Sequence, residues 1–159
     1  MKTQQTESFW QEFAALAGVD ADYDVVAFGD SAQMSDELAQ LVLIGQKRAT
    51  AGLLRDFEIG GEPLPVEGGF VVMIDGQQQP RAIWQTTQVR VGPLSSVDEA
   101  FAWDEGEGDR TRDDWLRMHT DYFVRQAQRE GFRFHDDIET VFERFRIVWP
   151  LDVADEAQN

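Results

Sequence analysis

Apolar residues along the chain alternate between helical and strand spacing. Phe9, Phe13 and Leu16 recur at helical intervals behind Thr6 and Ser8, with Gly18 as a stop, and predict a first helix over about 7–17. Residues 25–28 form a short apolar run closed by Gly29-Asp30. Ser35 is placed to cap a second helix, with Asp36 and Glu37 in its first turn, Leu38, Leu41 and Val42 on one face, and Gly45 as terminator. Lys47 then falls just past a helix end. Residues 60–69 are too rich in Gly and Pro for a regular element and read as a loop. Two strands follow, over 70–74 and 82–91, joined in a hairpin around Asp75-Gly76 whose loop exceeds the tightest type. Thr111 begins a well-marked helix: Asp113 and Asp114 lie in its first turn, Trp115, Leu116, His119, Tyr122, Phe123 and Ala127 form one stripe, and Gly131 follows its end. Residues 140–149, rich in β-branched and aromatic side chains, predict a last strand before Pro150, and 151–159 reads as a frayed, solvated tail.

No repeat, low-complexity segment or linker divides this pattern, so the 159 residues predict one α+β domain with a core at about 25–149 and a mixed sheet flanked by helices. Five Trp and eleven Phe supply a core, which separates the high charge from disorder. The excess of 30 acidic over 14 basic residues gives a formal charge of -16, raising the electrostatic cost of approaching a long polyphosphate. A small, weakly charged substrate suits that field, and acidic surfaces also serve solubility alone. With no cysteine, disulfides, a thiolate nucleophile and Cys-ligated zinc are excluded. The opening Met-Lys-Thr-Gln-Gln-Thr-Glu-Ser lacks the apolar segment of a signal peptide, and no later run approaches spanning length, so the expectation is a cytoplasmic protein without a membrane partner.

Within Gly45-Gln46-Lys47-Arg48-Ala49-Thr50, an amine stands three residues before a hydroxyl. A threonine hydroxyl needs a nearby base to act as a nucleophile, and a lysine amine that has lost its proton can serve. In an extended strand the two side chains face opposite sides, so a bend near Ala49 is required to join them; an exposed lysine and a strand threonine also satisfy the spacing. The segment 103–110, Trp-Asp-Glu-Gly-Glu-Gly-Asp-Arg, crowds four carboxylates between glycines. Such crowding can hold one carboxyl protonated for acid catalysis, or the segment is a solvated loop capping the next helix. No fixed-spacing metal motif is present. His119, on an apolar stripe, reads more readily as a hydrogen-bonded core residue than as a base, and His135 beside Asp136 and Asp137 reads as surface. Trp84, Trp103 and Trp115 offer stacking faces but have the spacing of core residues.

The 45–50 block, Gly61-Glu62-Pro63-Leu64-Pro65, the hairpin around Asp75-Gly76, and Glu105-Gly106-Glu107-Gly108-Asp109-Arg110 followed by Trp115 together resemble the ASCH domain family, in that family's order. The resemblance implies a PUA-like fold, a small mixed β-barrel flanked by helices. It implies one of two activities. Some small bacterial members hydrolyse the acetamide of N4-acetylcytidine with a lysine, a threonine and a glutamate; other members are linked to RNA binding or ribonuclease activity. The lysine and threonine match Lys47 and Thr50, and the glutamate is matched to Glu105, with Glu107 two residues away. On this basis Lys47, Thr50 and Glu105 are the expected catalytic residues of an amidohydrolase, and an Ala51-Gly52 turn the expected oxyanion donor. Arg48, Arg55, Trp103, Glu107 and Arg110 are the expected substrate-binding residues. Some members carry an arginine where this chain has Gly52, and Arg55 and Arg110 are the available substitutes. The implied partner is a small-molecule nucleoside, or RNA in the alternative, with no metal or other cofactor.

Overall fold

The computed structural model describes residues 1–156. Among these residues five α-helices surround one five-stranded sheet, as the α+β expectation requires. Helix α1, Gln4–Ala17, starts earlier than its apolar spacing suggests, because Thr3 and Thr6 cap each other reciprocally ahead of it and Gly18 closes it in the left-handed conformation. Its buried face carries Trp10 and Phe13, while Leu16 points outward. Strand β1, Asp24–Ala27, leads into helix α2, Ala32–Leu43. The cap of α2 is Ser31, one turn before the predicted Ser35. Ser35 instead sits inside the first turn with its hydroxyl donating to the carbonyl of Phe28, which ties the end of β1 to the helix.

Strand β2, Ala49–Leu53, passes directly into helix α3, Leu54–Gly60, which is too short to leave a readable periodicity. Strands β3, Phe70–Ile74, and β4, Pro80–Pro93, form the predicted hairpin. A 3-10 turn at Leu94–Ser96 and helix α4, Glu99–Glu105, capped by Asp98, lead to helix α5, Arg112–Glu130, capped by Thr111 and stopped by Gly131. Strand β5, Glu139–Trp149, completes the sheet.

The strand order is β1-β3-β4-β5-β2, with β1 parallel to β3 and every other pair antiparallel. Register shifts at Ile83/Trp84 and Thr86/Gln88 bend the long β4–β5 ladder, and the sheet curls into a half-barrel that leaves β1 and β2 as edges. One face is filled by α2 with Phe28, Trp84, Phe145 and Ile147, where the Trp84 ring is stacked between Phe28 and Phe145. Trp10, Phe13 and Tyr23 cover Val72 and Ile83 on another side, and Phe101, Trp115 and Phe123 pack on Phe142 in a third cluster. The tail read as frayed is held at Asp155, which accepts two bonds from the Arg48 guanidinium at 2.9 Å and one from the Ile147 amide at 2.8 Å. Residues 157–159 lie outside the described residues. Among the described residues no helix is long and apolar enough to cross a membrane.

Candidate active site

Lys47 lies in the extended link between α2 and β2, and the acidic turn after α4 lies against that link. The amide of Arg48 donates to the carbonyl of Asp104 at 2.7 Å, and the side-chain amide of Gln46 donates to the carbonyl of Gly106 at 2.7 Å. Two segments some sixty residues apart are thereby clasped. The clasp needs glycine at 106: its φ is +73°, and a Cβ there would stand 2.4 Å from the carbonyl oxygen of Gln46. The residues on either side of this contact, Glu105 and Glu107, are thus carried to the Lys47 ammonium.

Lys47 is 1% exposed. Its Nζ donates to the carbonyl of Ala49 at 2.7 Å and to Oε2 of Glu107 at 2.8 Å, and lies 3.6 Å from Oε1 of Glu105. The two carboxylates differ in surroundings. Glu105, the last residue of α4, is 2% exposed and is wrapped from the far side by α5: the Trp115 indole N–H donates to Oε2, and Nε2 of His119 lies 3.1 Å from Oε1. The Glu107 side chain retains 16% exposure and borders the cleft.

These surroundings separate the carboxyls in acidity. Burial pushes Glu105 up, but the positive charges of His119 and Lys47 and the hydrogen bonds it accepts outweigh burial and hold it below the usual carboxylate range. Burial pushes Glu107 up as well; Lys47 opposes this, the negative charge of Glu105 adds to it, and the net displacement is upward. His119 would be pushed down by burial, yet the charge and hydrogen bond of Glu105 hold it above its ordinary value. The segment of four crowded carboxylates is a solvated loop in its second half alone, where exposed Asp109 accepts from Thr111 at the start of α5. Asp104 and Glu105 belong to α4, Glu105 is buried, and Asp104 is paired outward with Arg144 at 2.9 Å.

The cleft beside this cluster has a volume of about 490 Å³. Lys47, Thr50, Ala51, Glu105, Glu107 and His119 share its wall, and Phe28, Leu38, Leu41 and Tyr122 give it an apolar side. Lys47 precedes β2 and turns its side chain back to the Ala49 carbonyl at the strand edge, and Ala49 itself lies in the strand without a bend. Ala51 and Gly52 are strand residues and form no turn. Since the amide of Phe145 bonds to the carbonyl of Arg48, and Ala49 pairs with Arg144, the antiparallel ladder alternates so that Ala49 and Ala51 turn their backbone groups away from β5. The carbonyl of Ala49 meets Lys47 along that edge, and the amide of Ala51 points the same way.

The structure brings Lys47, Thr50, Glu105 and Glu107 to one cleft. It does not bring the other expected substrate contacts there. Arg48 straps Asp155, and Arg55 lies over the Phe132 ring at 3.7 Å and pairs with Glu130 at 3.0 Å. Trp103 is 57% exposed on the outer surface with the Arg110 guanidinium stacked on it at 3.7 Å. His119 is the hydrogen-bonded core residue its apolar stripe predicts: it is buried on α5, with Nδ1 at the Trp115 carbonyl and Nε2 at Glu105. Its spacing one turn after Trp115 is visible in the sequence, whereas its pairing with Glu105 is a tertiary contact that no local pattern shows. Glu105, Glu107 and His119 also place one donor atom each within 4.8 Å of one another, a spacing that could hold a metal ion. Lys47 Nζ already contacts both carboxylates, so a metal ion there would compete with the ammonium.

Residues 24–149 match the family model described as the ASCH domain. A crystal structure of a protein from Enterococcus faecalis V583 is similar at a TM-score of 0.84 and 36% identity, covering 91% of this chain and 88% of that one. The crystal structure of an ASCH domain from Lactobacillus crispatus JV V101 is similar at a TM-score of 0.80 and 26% identity, covering 91% of this chain and 94% of that one. No curated protein sequence matches.

Proposed function

The chain belongs to the ASCH domain family, and from that membership and its cleft we propose an amidohydrolase acting on an N-acylated cytosine nucleoside such as N4-acetylcytidine. The observation that carries this reading is a buried lysine hydrogen-bonded to a carboxyl of raised pKa, on the wall of a cleft that also presents a threonine. The Lys47–Glu107 pair shares one proton. With that proton on Glu107, the free amine of Lys47 accepts the proton of the Thr50 hydroxyl as its oxygen bonds to the acyl carbon. The Ala51 amide is the oxyanion donor in this scheme. The bond from the acyl carbon to the exocyclic nitrogen then breaks as Glu107 protonates that nitrogen, releasing the amine. Water, deprotonated through the same pair, cleaves the threonyl ester, releases the carboxylic acid and restores the hydroxyl.

Glu105 has a different part in this scheme from Glu107. Its oxygens are enclosed by Trp115, His119 and Lys47, so it orients the lysine while Glu107 faces the substrate. The apolar wall accepts an aromatic base, and the charge of -16 favours a neutral nucleoside over a polyanion.

A second reading, an RNA-binding or RNA-cleaving module, draws on the exposed Trp103–Arg110 stack, a surface suited to an unpaired base. One experiment separates the two: incubation with N4-acetylcytidine while cytidine release is followed, at rising salt. The expected result is turnover that salt barely changes and that Lys47→Ala and Thr50→Ala abolish. No release by the wild type, or full activity in Thr50→Ala, overturns the hydrolase, and binding of single-stranded RNA that falls steeply with salt supports the module.

A further inference from the structure

His119 is anchored at both ring nitrogens by groups that accept. Nδ1 lies 2.8 Å from the carbonyl oxygen of Trp115, and Nε2 lies 3.1 Å from Oε1 of Glu105. A carbonyl oxygen only accepts, so Nδ1 carries a hydrogen. The Glu105 contact then holds a second proton, either on Nε2 or on the carboxyl. Two features place it on the ring. The indole N–H of Trp115 already donates to the other oxygen of Glu105, and Lys47 Nζ stands 3.6 Å from Oε1, an arrangement suited to a carboxylate. The imidazole is also stacked on the Trp115 ring, with centroids 3.8 Å apart and an interplanar angle of 13°, where an aromatic face favours a cation.

We propose that His119 is a positioning residue, held as an imidazolium between the Trp115 carbonyl and Glu105, which cancels the Glu105 charge and leaves the Lys47–Glu107 pair one proton to share. The inference deepens the amidohydrolase reading and rests on it for its kinetic consequence. The charges balance within the cluster: Lys47 and His119 are two cations against Glu105 and Glu107. A proton passing from Nζ of Lys47 to Oε2 of Glu107 leaves the total unchanged and produces a free amine beside an undissociated acid, the two groups the acyl transfer needs. The charged groups facing the ring are Glu105 from α4, Glu107 from the following turn and Lys47 from the link before β2. Arg117, Asp121 and Arg125 on α5, and Glu37 across on α2, line the cleft farther out.

Removing the imidazolium makes the remaining groups hold protons more tightly, by Coulomb's law. The acid limb of activity marks the loss of the proton beyond the one that Lys47 and Glu107 share, so it must move to higher pH when His119 is made neutral.

The test has two arms. The chain has two histidines, so the ring nitrogens of His119 can be assigned in ¹⁵N-edited NMR with His135→Gln as the reference variant. At pH 7.5 the wild type is expected to show both nitrogens of His119 protonated. A neutral ring overturns the inference, whether or not the protein is a hydrolase. In the kinetic arm, His119→Gln, which keeps a polar side chain of similar reach, is expected to move the acid limb of kcat/KM up by about one pH unit with KM changed less than about threefold. A superimposable pH profile overturns the inference. If the wild type releases no cytidine, it is the functional reading that fails, and the NMR arm decides the state of His119 alone.

Discussion

Oε2 of Glu107 accepts a hydrogen bond from Nζ of Lys47 at 2.8 Å, across sixty residues of sequence. This contact makes the lysine and the carboxyl a single acid–base unit. Replacing Lys47 with Ala leaves two carboxyls beside an empty volume, one of them buried. Because removing one partner of a buried pair strands the other, Lys47→Ala is expected to lose about 3 kcal/mol of stability in a denaturant titration. It is also expected to lose activity by about a thousandfold or more through loss of the base. Lys47→Met, which refills the volume, should recover part of the stability and none of the activity.

Glu105 and Glu107 are separated by a single residue, Gly106, yet their replacement has different consequences. Glu107→Gln keeps the shape of a partly exposed side chain and an oxygen that still accepts from Lys47, but removes the proton donor, so the expected outcome is a smaller loss of Tm than Glu105→Gln shows, with kcat lower by about a hundredfold. Glu105→Gln places an amide among Trp115, His119 and Lys47, all of which present donors to it. It is expected to unfold at lower temperature, and calorimetry on the two variants checks the ordering. Equal losses of Tm would contradict the division of roles between them.

The sequence made the fold legible where elements are long and bounded. The stripe from Trp115 to Ala127, the Asp75-Gly76 hairpin and the last strand all fall where periodicity and turn chemistry place them. The seven-residue helices α3 and α4 were not legible, since each spans about two turns, too short for an apolar period to show. Missing α4 had a consequence for the site, because it made Glu105 look solvated. Lys47 and Thr50 were legible as residues through the family pattern, but no local rule indicates that a lysine after a helix end will be buried. Its burial comes from the clasp with the turn at Gly106, a tertiary contact. Arg48 and Arg55 are expected at the substrate from the family pattern, but the tail and α5 supply carboxylates that engage them, and those pairings are tertiary contacts the pattern does not carry.

Glu143 supplies a test of pH dependence away from the proposed chemistry. Its side chain is buried in the half-barrel, where Trp84 Nε1 and Thr86 Oγ1 donate to one oxygen at 3.0 and 2.7 Å. Burial pushes the carboxyl up beyond what those two bonds pull down. The folded state therefore binds a proton more tightly than the unfolded chain, so stability falls as pH rises from the ordinary carboxylate range through the raised value. Glu143→Gln removes that dependence and is expected to raise Tm by a few degrees at pH 7, with the advantage vanishing near pH 4. Thermal melts across that range check the sign, and an advantage that grows toward acid would contradict it.

Gly106 is the point at which one backbone atom decides the site. A side chain there meets two obstacles: a φ of +73°, which disfavours a Cβ, and the Gln46 carbonyl oxygen 2.4 Å from where that Cβ would lie. The second cannot be relieved by a rotamer change, because the obstructing atom is backbone. Gly106→Ala must therefore open the clasp, lengthening the Gln46 and Arg48 bonds to the acidic turn and withdrawing Glu105 and Glu107 from Lys47. A left-handed alanine alone is expected to cost about 1 kcal/mol, and separating the clasp should add to it. Activity is expected to fall more than a hundredfold, since displacements near 1 Å at a reacting centre have effects of that size. Gly131→Ala is the control: its φ is +78° but nothing lies within 4 Å of its Cβ, so it reports the backbone strain alone. If the two variants lose equal stability and both keep full activity, the contact between Gly106 and Gln46 does not position the site.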